Sequence, residues 1–278
     1  MSRSRRMCAS SPPSTPGPRI FPKRRSPPLR PSAWHVTSNP GSIAASTPCR
    51  PAPTARFCAA PCARRRPTMV KLDIFSDPIC PWCYIGKAYL DRALEQVPDH
   101  PFQVAWHPFQ LNLGMPLIGM DRRDYLEAKF GGQKGAVEAY LPVQEHAEKA
   151  GLKIDLGAIQ RTPNTLDAHR LIHWAGIEGR QTAVVSSLFK AYFVEGRDIG
   201  DREVLADIAD GCGLDAALIQ RLMASDADLD EIRQRDKAAR DMGITSVPTF
   251  IVAGQHAVPG AQPTDLWVKV IRELQAAA

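Results

Sequence analysis

Cys80 and Cys83, with only Pro81 and Trp82 between them, stand where a strand pattern gives way to a helix pattern. Upstream, Val70-Lys71-Leu72-Asp73-Ile74-Phe75 alternates apolar and polar residues, the period of a strand, and Ser76-Asp77-Pro78 breaks it. Downstream, Ile85, Tyr89, Ala93 and Val97 recur four apart until Pro98 and Pro101 stop the helix. Two cysteines at this spacing on a helix start can bring their sulfurs within disulfide range. Cys80 falls at the helix N-terminus, where unpaired N–H groups and the helix dipole favour a thiolate. Pro81 suits the first turn because its missing N–H has no partner there. Cys83 lies one turn inside and turns away from solvent. The two thiols therefore have unequal roles. Cys80 attacks or is attacked, and Cys83 resolves the mixed disulfide. The alternatives are half of a zinc site, completed by Cys58 and Cys62 upstream, and a structural pair without redox chemistry. The strand between the two cysteine pairs speaks against zinc, and no metal is expected.

Charge is distributed unevenly along the 278 residues. Residues 1–68 hold 13 of the 35 lysines and arginines, no aspartate or glutamate, and 14 of the 25 prolines. Prolines this dense oppose helix and sheet alike, and few apolar side chains offset the ordering entropy. The stretch is expected to be disordered, and its cysteines Cys8, Cys49, Cys58 and Cys62 to be idle. The abrupt change at Met69 fits a start assigned too far upstream; a native tail and an organelle signal are the alternatives. Beyond Met69 the 22 remaining basic residues face 29 acidic ones, so the net charge of +6 comes from the extension. The Arg64-Arg65-Arg66 run reads as solvated, and nucleic acid is not an expected partner. Apolar runs stay far below the ~20 residues of a membrane span.

After the helix, Phe102, Val104 and Trp106 alternate as a second strand, giving a strand–helix–strand unit that favours a parallel crossover. The middle is helical. Tyr125, Leu126 and Phe130 mark one face before Gly131-Gly132. Thr165 can cap a helix with Ala168, Leu171, Ile172 and Ala175. Further helices carry Val184, Leu188, Ala191 and Tyr192, then Leu205, Ile208 and Cys212, then Leu218 and Leu222, then a charged segment from Asp226 to Met242. Cys212 reads as a buried core thiol. Thr249-Phe250-Ile251-Val252 is a buried strand, Gly254-Gln255 a turn, and His256-Ala257-Val258 a short strand. Thr264 caps a final helix with Leu266, Trp267, Val270, Ile271 and Leu274. Strand-forming pieces flank a helical insertion, so the sheet must close across it.

Cys80-Pro81-Trp82-Cys83 together with Val247-Pro248-Thr249-Phe250 resembles the thioredoxin superfamily, and more closely the DsbA-like oxidoreductases of the FrnE group. The stretches that carry the likeness are SDPICPWCYIGK at 76–87, WHPFQLN at 106–112, PNTLDAHRL at 163–171, LFKAYFVEGRDIGD at 188–201, GITSVPTF at 243–250 and GAQP at 260–263. The resemblance implies an α/β, thioredoxin-like fold at 69–119 and 243–278 with an inserted all-helical domain at 120–242. It implies that Cys80 is the nucleophile, Cys83 its partner, and Pro248 the cis-proline facing them. Val247 would then offer backbone hydrogen bonds to an extended substrate, with Pro81, Trp82 and Thr249 also contacting it. Asn164 matches a glutathione-contacting region of related proteins, and it and the helix after it are expected to help wall the cleft; a polar helix cap is its other reading. Ile74 stands where many relatives bury a proton-relaying acid, and Asp77 reads as a turn former. Trp82 replaces the histidine of strongly oxidising relatives, which implies a less oxidising couple.

The expected activity is thiol–disulfide exchange on protein or small-molecule thiols and disulfides, with no cofactor beyond the redox-active pair. The relatives also include 2-hydroxychromene-2-carboxylate isomerases and kappa-class glutathione transferases. A glutathione-dependent isomerase or transferase is therefore the alternative, and glutathione a candidate co-substrate. The cytoplasm is the expected location, in the absence of a legible export signal.

Overall fold

The computed structural model describes residues 69–277. The expectations for residues 1–68, the idle cysteines Cys8, Cys49, Cys58 and Cys62 among them, lie outside the described residues. The chain runs β1 (Val70–Ser76), α1 (Pro81–Gln96), β2 (Phe102–Pro108), β3 (Met120–Asp121), α2 (Arg122–Phe130), α3 (Gln133–Lys149) and β4 (Arg161–Thr162). It continues through α4 (Leu166–Ile177), α5 (Gln181–Phe193), α6 (Arg202–Gly211), α7 (Ala216–Met223) and α8 (Leu229–Asp241) to β5 (Thr249–Val252), β6 (His256–Pro259) and α9 (Thr264–Ala277).

The main sheet has the order β2-β1-β5-β6. β1 and β2 are parallel, with Val70 opposite Phe102 and Ser76 opposite Pro108. β5 is antiparallel to β1, pairing Leu72 with Val252 and Phe75 with Thr249. β6 returns antiparallel through a turn in which Ala253 and Gly254 both take positive φ. The sheet thus closes across the helical block. β1 lies between two strands and is buried from Leu72 onward, so its sequence alternation does not mark a wet face. Asp73 stays in this strand because His107 Nε2 at 2.6 Å and Lys71 Nζ at 3.0 Å flank its carboxylate.

α1 uses two faces. Cys83, Leu90 and Ala93 join the main core, which also holds Phe250 and the fully buried Trp267 of α9. Ile85 and Tyr89 pack instead on Val143 and Ala147 of α3. Trp267 meets Phe250 edge-on at 4.7 Å, fixing α9 against the sheet. Thr264, expected to cap α9, is its first residue, and its hydroxyl donates to the Tyr89 carbonyl of α1 at 3.1 Å.

The inserted block is helical, with one two-residue pairing of β3 and β4. α2 ends at Gly131 in the left-handed region, which the missing Cβ makes accessible. α3 carries no mark in the sequence patterns, and Pro142 lies inside it. A proline there removes one hydrogen bond and argues locally against a helix. Packing of Val143 and Ala147 onto α1 supplies what local propensity does not. Thr165 occupies the N-cap of α4 but its side chain makes no capping bond; Asn164 Oδ1 accepts from Leu166 N instead. Cys212 corrects an expectation: it follows α6 as its C-cap, is only half-buried, and approaches Ser187 Oγ at 3.4 Å.

Candidate active site

β1 delivers the chain to a tight turn that starts α1. Cys80 N donates to Asp77 O at 2.9 Å, and Cys80 takes the N-cap of α1 with Pro81 in the first turn. No acidic side chain occupies that turn. Cys83 N and Tyr84 N both donate to the Cys80 carbonyl, which locks the two cysteines on one turn. Both are free thiols, 4% and 1% exposed. Cys80 reaches the outside through a cleft of about 410 Å³ that it lines with Pro81, Trp82 and Val247.

Opposite the dithiol, the Val247–Pro248 peptide bond is cis, and the Cys80 thiol donates to the Val247 carbonyl at 3.7 Å. This approach depends on Gly86. A Cβ there would stand 3.1 Å from Pro248 Cγ and 3.3 Å from Ala261 Cα.

Burial and the adjacent Cys80 push the Cys83 thiol well above its ordinary value, opposed by hydrogen bonds from the Ser76 side chain and the Asp77 backbone. Asp77 is more than a turn former. It is fully buried, accepts from Leu111 N at 2.7 Å and from Ile79 N at 3.3 Å, and burial raises its carboxyl to about 7.

The expected site residues separate into groups. Cys80, Pro81, Trp82 and Val247 line the cleft, and Cys83 lies beneath. Pro248 and Thr249 follow Val247 behind the lining; the Thr249 hydroxyl donates to the Ser246 carbonyl at 2.8 Å. Asn164 is a correction. It is not among the lining residues, and its amide is committed elsewhere: Nδ2 donates to Met115 O at 2.8 Å while Oδ1 caps α4. The helical walls come from α2 and α3, not from α4. Arg122, Tyr125 and Lys129 of α2 and Tyr140 of α3 face the cleft. The sequence marked only Tyr125 of these, as part of an apolar helix face, and gave no sign that Arg122, Lys129 or Tyr140 faces a cleft. His146 of α3 meets the Trp82 ring edge-on at 5.2 Å, which holds that side chain at the rim.

A dithiol at the start of α1, facing a loop that enters β5, on a sheet interrupted by helices, defines a thioredoxin-like protein. The chain belongs to the family with a DSBA-like thioredoxin domain, whose model matches residues 71–272. It is 30% identical over 207 residues to the YwbO protein of Bacillus subtilis, covering 74% of this chain and 98% of that one. A crystal structure from Streptomyces coelicolor, described as a probable DsbA oxidoreductase, superposes with a TM-score of 0.67 at 29% identity, covering 75% and 91% of the two chains. The cytosolic disulfide reductase DsbM of Pseudomonas aeruginosa, solved with GSH, shares the fold with a TM-score of 0.54 at 18% identity, covering 75% of this chain and all of that one. Family membership assigns a thiol–disulfide oxidoreductase type of function. No helix among the described residues is long and apolar enough to cross a membrane.

Proposed function

We propose that the protein is an oxidoreductase that cycles Cys80 and Cys83 between dithiol and disulfide on protein or small-molecule substrates. The observation that carries this reading is the pair itself: an N-cap cysteine on a cleft, with a buried, high-affinity proton holder one turn below it. In the reducing direction the Cys80 thiolate attacks a substrate disulfide. One sulfur becomes bonded to Cys80 and the other leaves as a thiol after taking up a proton. Cys83 then loses its proton and attacks the Cys80 sulfur. The mixed disulfide breaks, the second substrate thiol leaves, and the pair has given up two electrons. Oxidation of a substrate dithiol is the reverse. Pro248 sets the position of Val247, whose carbonyl is available to an extended substrate once the thiol no longer donates to it. A cytoplasmic location suits a reductase or isomerase, because reduced thiols prevail there.

Replacing Cys83 with serine tests the reading. Exchange through an intramolecular disulfide then stops at the mixed disulfide with Cys80, which accumulates and is visible by mass. Turnover of a glutathione-dependent isomerisation or transfer that survives in Cys83→Ser, with no trapped disulfide, overturns the reading in favour of a glutathione-dependent isomerase or transferase.

A further inference from the structure

Arg122 is a buried cation with no carboxylate at ion-pair distance among the described residues. It is 7% exposed. Its polar neighbours are neutral: the hydroxyls of Thr162 at 3.3 Å, Tyr192 at 3.2 Å and Tyr140 at 2.6 Å. The rings of Tyr140 and Tyr192 lie 5.5 and 5.9 Å from the guanidinium carbon. Its Nε is buried without a hydrogen-bond partner, and no carboxylate among the described residues pairs with it. The other buried arginine shows what such a group ordinarily has. Arg170 holds Asp167 at 2.7 Å and three backbone carbonyls. A buried cation left unpaired is destabilising, and an anion that reaches it relieves that cost.

The cleft ties this charge to the dithiol. Arg122 and Cys80 line the same cleft. Tyr140, which accepts from Arg122, lines that cleft as well. Lys129, on the same wall, donates to Tyr125 Oη at 2.6 Å and pairs with no carboxylate among the described residues. Among the described residues no aspartate or glutamate lines this cleft, although beyond Met69 the chain is acidic, with 22 basic residues against 29 acidic ones; the carboxylate that Lys129 acts on, Asp77, is fully buried.

We propose that the cleft takes a small anionic thiol or its disulfide, with a substrate carboxylate received by Arg122 and Lys129 while the substrate sulfur meets Cys80. This rests on the thiol–disulfide reading above and adds the substrate class. The volume of about 410 Å³ suits a small molecule rather than a folded protein surface. Arg122 and Lys129 are specificity-determining residues in this scheme; the bonds made and broken are those of the exchange already written.

The test uses the reduced full chain and three symmetrical disulfides of similar size: 3,3′-dithiodipropionate, bis(2-hydroxyethyl) disulfide and cystamine. They carry two carboxylates, no charge and two ammonium groups. Each second-order rate constant is divided by that of the same disulfide with free dithiothreitol, which removes intrinsic reactivity. The expected order is anionic, then neutral, then cationic, and the anionic preference shrinks at high salt. Arg122→Gln should lower the anionic-to-neutral ratio by about tenfold or more, as for a hydrogen bond to a charged group. Lys129→Gln, at an exposed position where folding is not at stake, should lower it by up to about fivefold. Equal normalised rates for the anionic and neutral disulfides, or a ratio that Lys129→Gln leaves unchanged, overturns the proposal. Failure of the neutral disulfide to react at Cys80 at all would instead overturn the thiol–disulfide reading.

Discussion

The Cys80 thiol and the Val247 carbonyl oxygen stand 3.7 Å apart although 167 residues separate them in the chain. β1 and β5 pair directly, so the loop before β5 and the loop after β1 emerge at the same end of the sheet. The dithiol and the loop that faces it are therefore held by strand pairing rather than by either loop's own conformation.

The two cysteines should respond differently to alkylation. Cys83 is 1% exposed and its thiol is held well above the ordinary value by burial, so it stays protonated through neutral pH. Iodoacetamide applied to the reduced protein should modify Cys80 first, as read by peptide mapping. Prior reaction at Cys83 would reverse the assignment of nucleophile and resolver.

Gly86→Ala sets helix propensity against packing. The alanine gains up to about 1 kcal/mol as a helix former. Its Cβ meets a proline ring at 3.1 Å, a backbone Cα at 3.3 Å and the Phe250 ring at 3.4 Å, and neither of the first two can rotate away. Overpacking of this kind costs roughly 1–3 kcal/mol. A net loss of about 1 kcal/mol is expected in urea unfolding, with slower exchange because the Val247–Pro248 loop is displaced. An increase in stability would show that the loop yields freely.

Arg170→Met should be severely destabilising. The guanidinium is fully buried and satisfies the carbonyls of Leu222, Ser225 and Ala227 together with Asp167. Removing one partner of a buried ion pair costs roughly 3–5 kcal/mol. Thermal unfolding should fall accordingly, through loosening of the α7–α8 connection against α4. A melting temperature close to that of the parent would refute this account.

Two buried groups give the stability opposite pH dependences. Burial raises Asp77 from 3.8 to about 7, so the folded state holds a proton that the unfolded state releases. That contribution is complete below pH 3.8 and is lost as pH rises to about 7. Burial lowers His169 from 6.5 to about 4, so its contribution is complete above pH 6.5 and is lost as pH falls toward 4. Each amounts to on the order of 3–4 kcal/mol at full extent, and they oppose one another where the windows overlap. Asp77→Asn should leave stability rising with pH across that interval, and His169→Gln should leave it falling. Denaturant titrations across the interval read both slopes, and parallel profiles for the two variants would exclude this assignment.

Much of the fold lies in local patterns. The strand around Leu72, the helix after Cys80, the strand around Trp106 and the β5–β6 hairpin follow from residue spacing and from turn residues, because each is decided within a few neighbours. The dithiol is legible for the same reason: its chemistry needs only two cysteines on one helical turn. α3 was not legible, because Pro142 argues locally against it and only its packing on Ile85 and Tyr89 overrides that. Asn164 shows the opposite failure, a motif residue whose side chain the fold spends on Met115 and Leu166. Of the cleft walls the linear sequence marks only Tyr125. Arg122 becomes a buried, unpaired cation only because Tyr140, Thr162 and Tyr192 arrive from distant segments. The sequence by itself determined which atoms can exchange electrons, since sulfur chemistry is a property of the residues. Only the tertiary structure decided what stands opposite them, because burial and the pairing of charges are set by which segments of the chain pack together.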